Sequence, residues 1–428
     1  MDCYASDREF MSDFEKFFNN AYLSDVTLIV GDEVFNAHRL LLVKSSEVFE
    51  RMLSQQWNGN KKEIELVEEP SCVKVFPAFL RFLYCNHVVL HADNTLPLLI
   101  LADKYNVSNL RKVCLEYAIN YILPQVSLKD LFHTWFQYGT KCFHQELTRD
   151  CIRVLASCFD DIISNTDEWG KDWCELDRDQ LMEFLKCNEL NVENEYKLWK
   201  AIETWLQAPN HAERRGNTAA PLLANILPLV RFPFMTPDEL NSLERSPIVE
   251  QHSKLFQQHI MNAYKYQALP LSSRVGIKEF TGTQFLLRTY SEPRWDKRLC
   301  VSDIDTILKY SEVTIKFSTR ACAVQPQQWD WELKVHPKGF SSNSEEFRVF
   351  LSSNVILDQT RPVEYLLQVV DDKKVVRAIS GKKTFTKTRY CQDLEVDKKI
   401  GLEEILSDSS PLLVGDNMYL QLFLKPID

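Results

Sequence analysis

No run in this sequence approaches the ~18 consecutive apolar residues that a membrane-spanning helix needs. Its first residues, Met1-Asp2-Cys3-Tyr4-Ala5-Ser6-Asp7, carry acids where a secretory signal needs a basic stretch and then an apolar one. The expected location is the cytoplasm, with the nucleus also open to it. Cys-x-x-Cys is absent, and the 12 cysteines are scattered through apolar contexts. That excludes a dense disulfide framework and leaves most of them as reduced core residues. Basic residues form no stripe: Lys61-Lys62 and Arg214-Arg215 are only pairs, and a formal net charge of -10 repels a polyanion. Repeated zinc-finger spacings are missing, and the region after residue 270 has no Gly-Gly pair and is too short for propeller blades of ~50 residues. Without a triad, a phosphate-cradling loop or a metal motif, the chain is expected to be no enzyme and to need no cofactor.

What is present is globular in kind. Hydrophobic residues make up 45% and charged residues 26% of 428 residues, which excludes wholesale disorder and predicts two to four domains. Residues 8 to 21 place Phe10, Met11, Phe14, Phe17 and Phe18 at helical spacing, so an amphipathic helix with an aromatic face is predicted, and such a face wants a partner. Val26, Leu28 and Val30 alternate as a strand, Gly31-Asp32 turns, and Val34 to Ala37 returns as a hairpin. Short helices over Ser46 to Leu53 and Val75 to Tyr84, a strand at Glu63 to Val67, and a helical stripe of Leu110, Val113, Cys114 and Tyr117 complete a small α/β domain.

From Val126 to about Tyr264 the pattern is helical, with Leu198, Ile202, Trp205 and Leu206 on one face and Asn194 as a cap. Pro209 to Pro221 is read as an exposed loop. After Pro270 the period becomes two, in Trp331-Leu333-Val335, in Val363-Tyr365-Leu367-Val369 and in Met418-Leu420-Leu422-Leu424. This predicts an antiparallel β sandwich from about residue 284 onward.

Leu23-Ser24-Asp25-Val26-Thr27-Leu28-Ile29-Val30, followed by Phe35-Asn36-Ala37-His38-Arg39-Leu40 and by Phe79-Leu80-Arg81-Phe82-Leu83-Tyr84, resembles the BTB (POZ) family over roughly residues 8–120. Asp179 to Leu185, Leu190 to Glu195, Trp199 to Leu206 and Leu229 to Met235 resemble a BACK domain, over 125–265. Trp331 to Gly339, Phe347 to Leu351 and Gly415 to Leu422 are similar to the TRAF-like or MATH fold over 284–428, beyond a linker at 266–283. The Phe-x-Trp opening strand and the Trp-Gly-Phe of that fold are absent, and Thr388-Arg389-Tyr390 stands where the latter belongs.

The BTB resemblance implies a homodimer through the N-terminal helix, with Phe10, Phe14, Phe17, Asp25 and His38 at the dimer side. It further implies a cullin-3 contact at Trp57 and Tyr105, joined by the first BACK helices with Leu131 and Phe136. Adaptors of this kind often carry glutamate two residues after the apolar one; here the run is Trp57-Asn58-Gly59. The chain thus reads as a ubiquitin-ligase adaptor whose β domain receives a protein substrate, the alternative being a structural assembler that binds no cullin. Alternation assigns Phe350, Tyr419 and Phe423 to solvent, which makes them the expected partner-binding residues.

Asp25 near His38 is a common catalytic fragment, but no activated nucleophile accompanies it. Cys85, His87 and His91 share strand parity, yet a fourth ligand is missing and a solvated strand face needs no metal.

Overall fold

The computed structural model describes residues 13–54, 62–320, 328–343, 345–353, 360–394, 400–407 and 409–427. Phe10 and Trp57 lie outside them. The chain divides into two compact units, Met1–Val154 and Leu155–Asp428, so the break falls inside the stretch read as the BACK domain.

In the first unit the predicted alternation is realised. Strand β1 (Val26–Val30) buries Val26, Leu28 and Val30, pairs antiparallel with β2 (Glu33–Ala37) and parallel with β3 (Glu63–Leu66). Gly31 turns the hairpin at φ 57°, where an added Cβ would stand 3.3 Å from Val73 and where side-chain-bearing residues are strained.

Helices Arg39–Ser45, Glu47–Met52, Pro70–Cys85, Ala92–Lys104 and Ser108–Tyr117 pack around this sheet. Ser46 caps the second of them, accepting from the Phe49 N–H at 3.1 Å. Asn86, left-handed at φ 51°, stops the third. That ending corrects the strand reading of residues 83 to 91: Cys85 closes a helix and His91 precedes the next, its N–H donating to Asn94 Oδ1. Of the stripe on Ser108–Tyr117, Leu110 and Cys114 are buried while Val113 faces solvent.

In the second unit, helices from Phe159–Ser164 to Ser253–Ala268 follow the predicted helical region. Asn194 caps Glu195–Leu206 by accepting from the Lys197 N–H at 2.8 Å, and Leu198, Ile202, Trp205 and Leu206 are all buried. The loop after Pro209 is less free than its composition predicts. Arg214 is buried, lies 3.9 Å over the Trp205 ring and donates to the carbonyls of Cys174, Trp205 and Leu176, so three hydrogen bonds from one guanidinium pin it down.

Asn191–Val192 (β4) pairs in parallel with Thr289–Tyr290 (β5), which ties the chain beyond the helices back to them. The strands that follow are β6 (Asp296–Val301), β7 (Val313–Arg320), β8 (Gln328–His336), β9 (Arg348–Ser353), β10 (Arg361–Val370), β11 (Val375–Phe385), β12 (Cys391–Asp393) and β13 (Met418–Pro426). They form two antiparallel sheets, ordered β11-β10-β13-β6 and β12-β9-β8-β7. Trp331, Leu333 and Val335 from one sheet and Val363, Tyr365, Leu367, Leu420 and Leu422 from the other share one core cluster. The Trp331 indole N–H donates to Thr319 Oγ1 at 2.9 Å, so this large side chain is buried without an orphaned donor.

The opposite face of β10 and β13 is buried too. Across that face Leu366 stands opposite Phe423, Gln368 opposite Gln421 and Val370 opposite Tyr419, and all six are buried. The segment read as a linker covers part of it. Ser272 N–H donates to Glu364 Oε1 at 3.0 Å, the Leu287 N–H donates to Gln421 Oε1, and Gln421 Nε2 donates to the Phe285 carbonyl and to Gln368 Oε1. Buried amides of this kind persist because each finds a partner.

Candidate interaction surfaces

At one end of the first unit's sheet, several residues expected at a dimer side converge. The Phe17 ring lies 5.8 Å from His38, edge to face, and Phe18 lies 6.1 Å from Tyr84 in the same manner. His38 is nearly enclosed: Nδ1 is 2.9 Å from the Tyr84 hydroxyl, Nε2 is 2.9 Å from the Tyr22 carbonyl, and its N–H donates to Tyr84 Oη at 3.0 Å. Burial pushes the Tyr84 phenol up to about 12. Asp25 accepts the Arg39 N–H at 2.8 Å, which satisfies a free donor at a helix start. Asp25 and His38 thus each have hydrogen-bond partners within the chain. Phe14 and Phe17 are only half-covered, and Tyr22, Leu23, Val34 and Leu40 around them are exposed, so apolar surface remains at this end.

Burial corrects three of the four expected cullin contacts. Tyr105 is stacked on Phe49 with centroids 4.7 Å apart and donates its hydroxyl to Glu68 Oε1 at 2.5 Å. Leu131 and Phe136 are fully enclosed. All three are core residues of this chain, because a large apolar side chain at helical spacing serves a core as readily as an interface.

Near them lies a cluster that no sequence motif announces. Asp103, at the end of helix Ala92–Lys104, accepts from Tyr138 Oη on Oδ2 at 2.5 Å and from Arg111 Nε on Oδ1 at 2.6 Å. His144 Nε2 is 2.6 Å from the same Oδ2. Cys142 joins them, with one ligand atom from each of Asp103, Cys142 and His144 lying within 4.8 Å of the others, the only such group among the described residues. Burial, reinforced by Asp103, holds the Tyr138 phenol far above its usual range.

In the second unit the helices and the β10-β13 sheet meet over a buried ionic centre. Glu195 and Arg288 are both fully enclosed with Nε to Oε2 at 3.2 Å. Glu195 also accepts from the Tyr290 hydroxyl at 2.7 Å and from the Arg231 N–H at 2.9 Å. Arg288 donates to the carbonyls of Leu185, Cys187 and Leu229. Burial and the nearby Arg288 charge lower the Arg231 pKa.

Beside this centre, a groove of about 450 Å³ is lined by Phe234, Tyr266, Arg274, Arg294, Trp295 and Phe423 among others. The expectation that Phe423 and Tyr419 face solvent fails here. Phe423 stacks on Phe234 at 6.2 Å, and the Tyr419 hydroxyl donates to Glu189 Oε1 at 2.5 Å, because the helices cover the face that alternation leaves open. Phe350 does remain half-exposed on the outer face of the other sheet. It stands 5.5 Å from Phe340 and 5.7 Å from His336, and Phe340 and Tyr390 are exposed.

Comparison with known proteins assigns two domains within residues 14–245, the second of which runs across the boundary between the two compact units. Residues 14–122 match the BTB/POZ domain model and residues 132–245 match the model described as BTB And C-terminal Kelch. The human BTB/POZ domain-containing protein 17 is 30% identical over 283 residues, 64% of this chain and 54% of that protein; the mouse protein is 29% identical over the same shares. The human BTB/POZ domain-containing protein 6 is 27% identical over 66% of this chain and 52% of its own length. The chain thus spans about half the length of these relatives. Among solved structures, the BTB domain of zebrafish PATZ1 aligns with 27% of this chain and 96% of itself, at 26% identity and a TM-score of 0.23. The chain therefore carries a BTB/POZ domain followed by a BACK domain, and proteins named BTB/POZ domain-containing protein 17 are among its homologues.

Proposed function

We propose that this chain is a non-enzymatic, homodimeric adaptor of the cytoplasm, the substrate receptor of a cullin-3 RING ubiquitin ligase, with its C-terminal β region recruiting a protein substrate. The observation that carries this reading is the order of parts: a BTB domain, a BACK domain and then a β region held to the BACK helices through the buried Glu195–Arg288 pair. A receptor must carry its substrate domain firmly on its adaptor helices, and the buried pair within the second unit supports that. The half-covered aromatic surface at Phe14 and Phe17 supports self-association, since apolar area gains about 25 cal/mol per Å² when buried. The β sandwich resembles TRAF-like or MATH domains, and its substrate face is the outer surface around Phe350, Phe340 and Tyr390.

A second reading, a structural assembler without cullin, is favoured by one observation. Tyr105, Leu131 and Phe136 are enclosed, so of the four contacts expected for the cullin only Trp57 is left, without its companion glutamate. Calorimetry of the full chain with the N-terminal region of cullin-3 separates the two. The receptor reading expects a stable complex that loses roughly 2 kcal/mol on Trp57→Ala if that residue is an anchor. No heat and no co-elution leaves the assembler, provided light scattering still finds a dimer.

A further inference from the structure

We propose that Asp103, Cys142 and His144 form a divalent-metal site, of zinc type, that fastens the end of helix Ala92–Lys104 to the turn following helix Gln137–Lys141. The three groups supply an oxygen, a thiolate and an imidazole nitrogen, a donor set suited to Zn²⁺, with water as the fourth ligand. Their ligand atoms lie within 4.8 Å of one another, and tetrahedral ligands around zinc stand roughly 3.3–3.7 Å apart. The His144 Nε2 to Asp103 Oδ2 separation of 2.6 Å has to widen by about an ångström to reach that spacing, within reach of side-chain rotation.

The surroundings fit the assignment. Arg111 holds Asp103 through Oδ1 at 2.6 Å, which leaves Oδ2 as the ligating oxygen. Tyr138 donates to that Oδ2, so the carboxylate is oriented by two outer partners, as metal-binding carboxylates generally are. The site is open on one side: Cys142 is exposed, which gives an ion a way in and a position for water. Phe143 adopts φ 58°, a left-handed conformation unusual for a bulky residue, with its own side chain 86% exposed. That turn places Cys142 and His144, two residues apart, against the same carboxylate. On binding, the Cys142 thiol gives up its proton to solvent and His144 coordinates through Nε2 without a proton there, so metal uptake releases protons.

The test uses the full-length chain, stripped with a chelator and titrated with Zn²⁺ by calorimetry and with Co²⁺ by absorption. Expected are one ion per chain, proton release, and a thiolate-to-cobalt charge-transfer band in the near ultraviolet. Cys142→Ser should abolish that band, and His144→Ala should weaken affinity at least tenfold. Cys300→Ser, at an exposed cysteine elsewhere, should change neither. Zinc should also raise the melting temperature of the unsubstituted chain but not of Cys142→Ser. A chain that binds no ion, shows no thiolate band, or keeps band and affinity in both variants overturns the assignment. Cys142 being exposed, its serine variant is expected to fold, and circular dichroism of each variant checks that.

Discussion

The two sheets of the C-terminal region are built from the same kind of alternating strand but end in different surroundings. In the sheet of β7, β8, β9 and β12, outward residues such as Glu332, Lys334 and Phe350 stay partly exposed. In the other sheet, β10 buries every residue from Val363 to Val370 and β13 every residue from Met418 to Leu424. Strands covered on both faces ordinarily read as continuous apolar runs. Here the second face carries Glu364, Gln368 and Gln421; backbone groups of residues 272 to 287 satisfy Glu364 and Gln421, and Gln421 in turn donates to Gln368. Polar residues at alternate positions thus mark solvent in one sheet and a covering segment in the other.

Breaking the ionic centre tests that contrast most strongly. Arg288→Ala leaves the Glu195 carboxylate buried without its partner and removes the donor that three carbonyls share. A loss of about 3–5 kcal/mol in the second unit's stability is expected, read by urea unfolding followed through tryptophan fluorescence. A loss below about 1 kcal/mol would mean that the centre does not hold the covering segment. Phenylalanine truncation then compares the sheets directly. Phe423→Ala, under Phe234 and Tyr266, should cost about 3–4 kcal/mol. Phe350→Ala on the open face should cost about 1 kcal/mol or less, while weakening capture of a substrate by the proposed outer surface. Equal costs would contradict the difference in covering.

The sequence makes each strand legible but not what lies over it. Trp331, Leu333 and Val335 announce their inward face through period two, and Asn194 announces its helix start through cap chemistry. Gln421 announces nothing of the kind, since its partner backbone at Phe285 and Leu287 is 134 or more residues away. The same holds for Asp103, whose contacts with Tyr138 and His144 span 35 and 41 residues. The gathering of Phe17, Asp25 and His38 at one end of the first unit's sheet is legible because a resemblance carries three-dimensional information that spacing lacks. Tyr105, Leu131 and Phe136, expected at a cullin contact through the resemblance, are buried in this chain, because a resemblance transfers the place of a residue along the chain but not its burial.

The smallest expected effect lies on the open sheet itself, at its one well-covered outward histidine. His336 follows the parity of Glu332 and Lys334, yet its side chain is only 7% exposed, because the Phe340 and Phe350 rings stand 4.9 and 5.7 Å away. Burial lowers its pKa below the ordinary 6.5; Glu312, with Oε2 3.7 Å from Nε2, pulls the other way, while Lys334 adds to the lowering. A histidine whose folded pKa is depressed binds more protons in the unfolded chain, so stability rises with pH across that interval. Its contribution is complete above pH 6.5 and is lost as pH falls from there through the folded pKa. Glu312 is itself held below 4.5, chiefly by its hydrogen bond with Lys334, so its own loss belongs to a lower window. Urea unfolding midpoints between neutral pH and pH ~5 should therefore decline in the native chain and decline less in His336→Gln. Identical slopes would show that the aromatic cover over His336 admits water, and that the outer face of this sheet is open throughout.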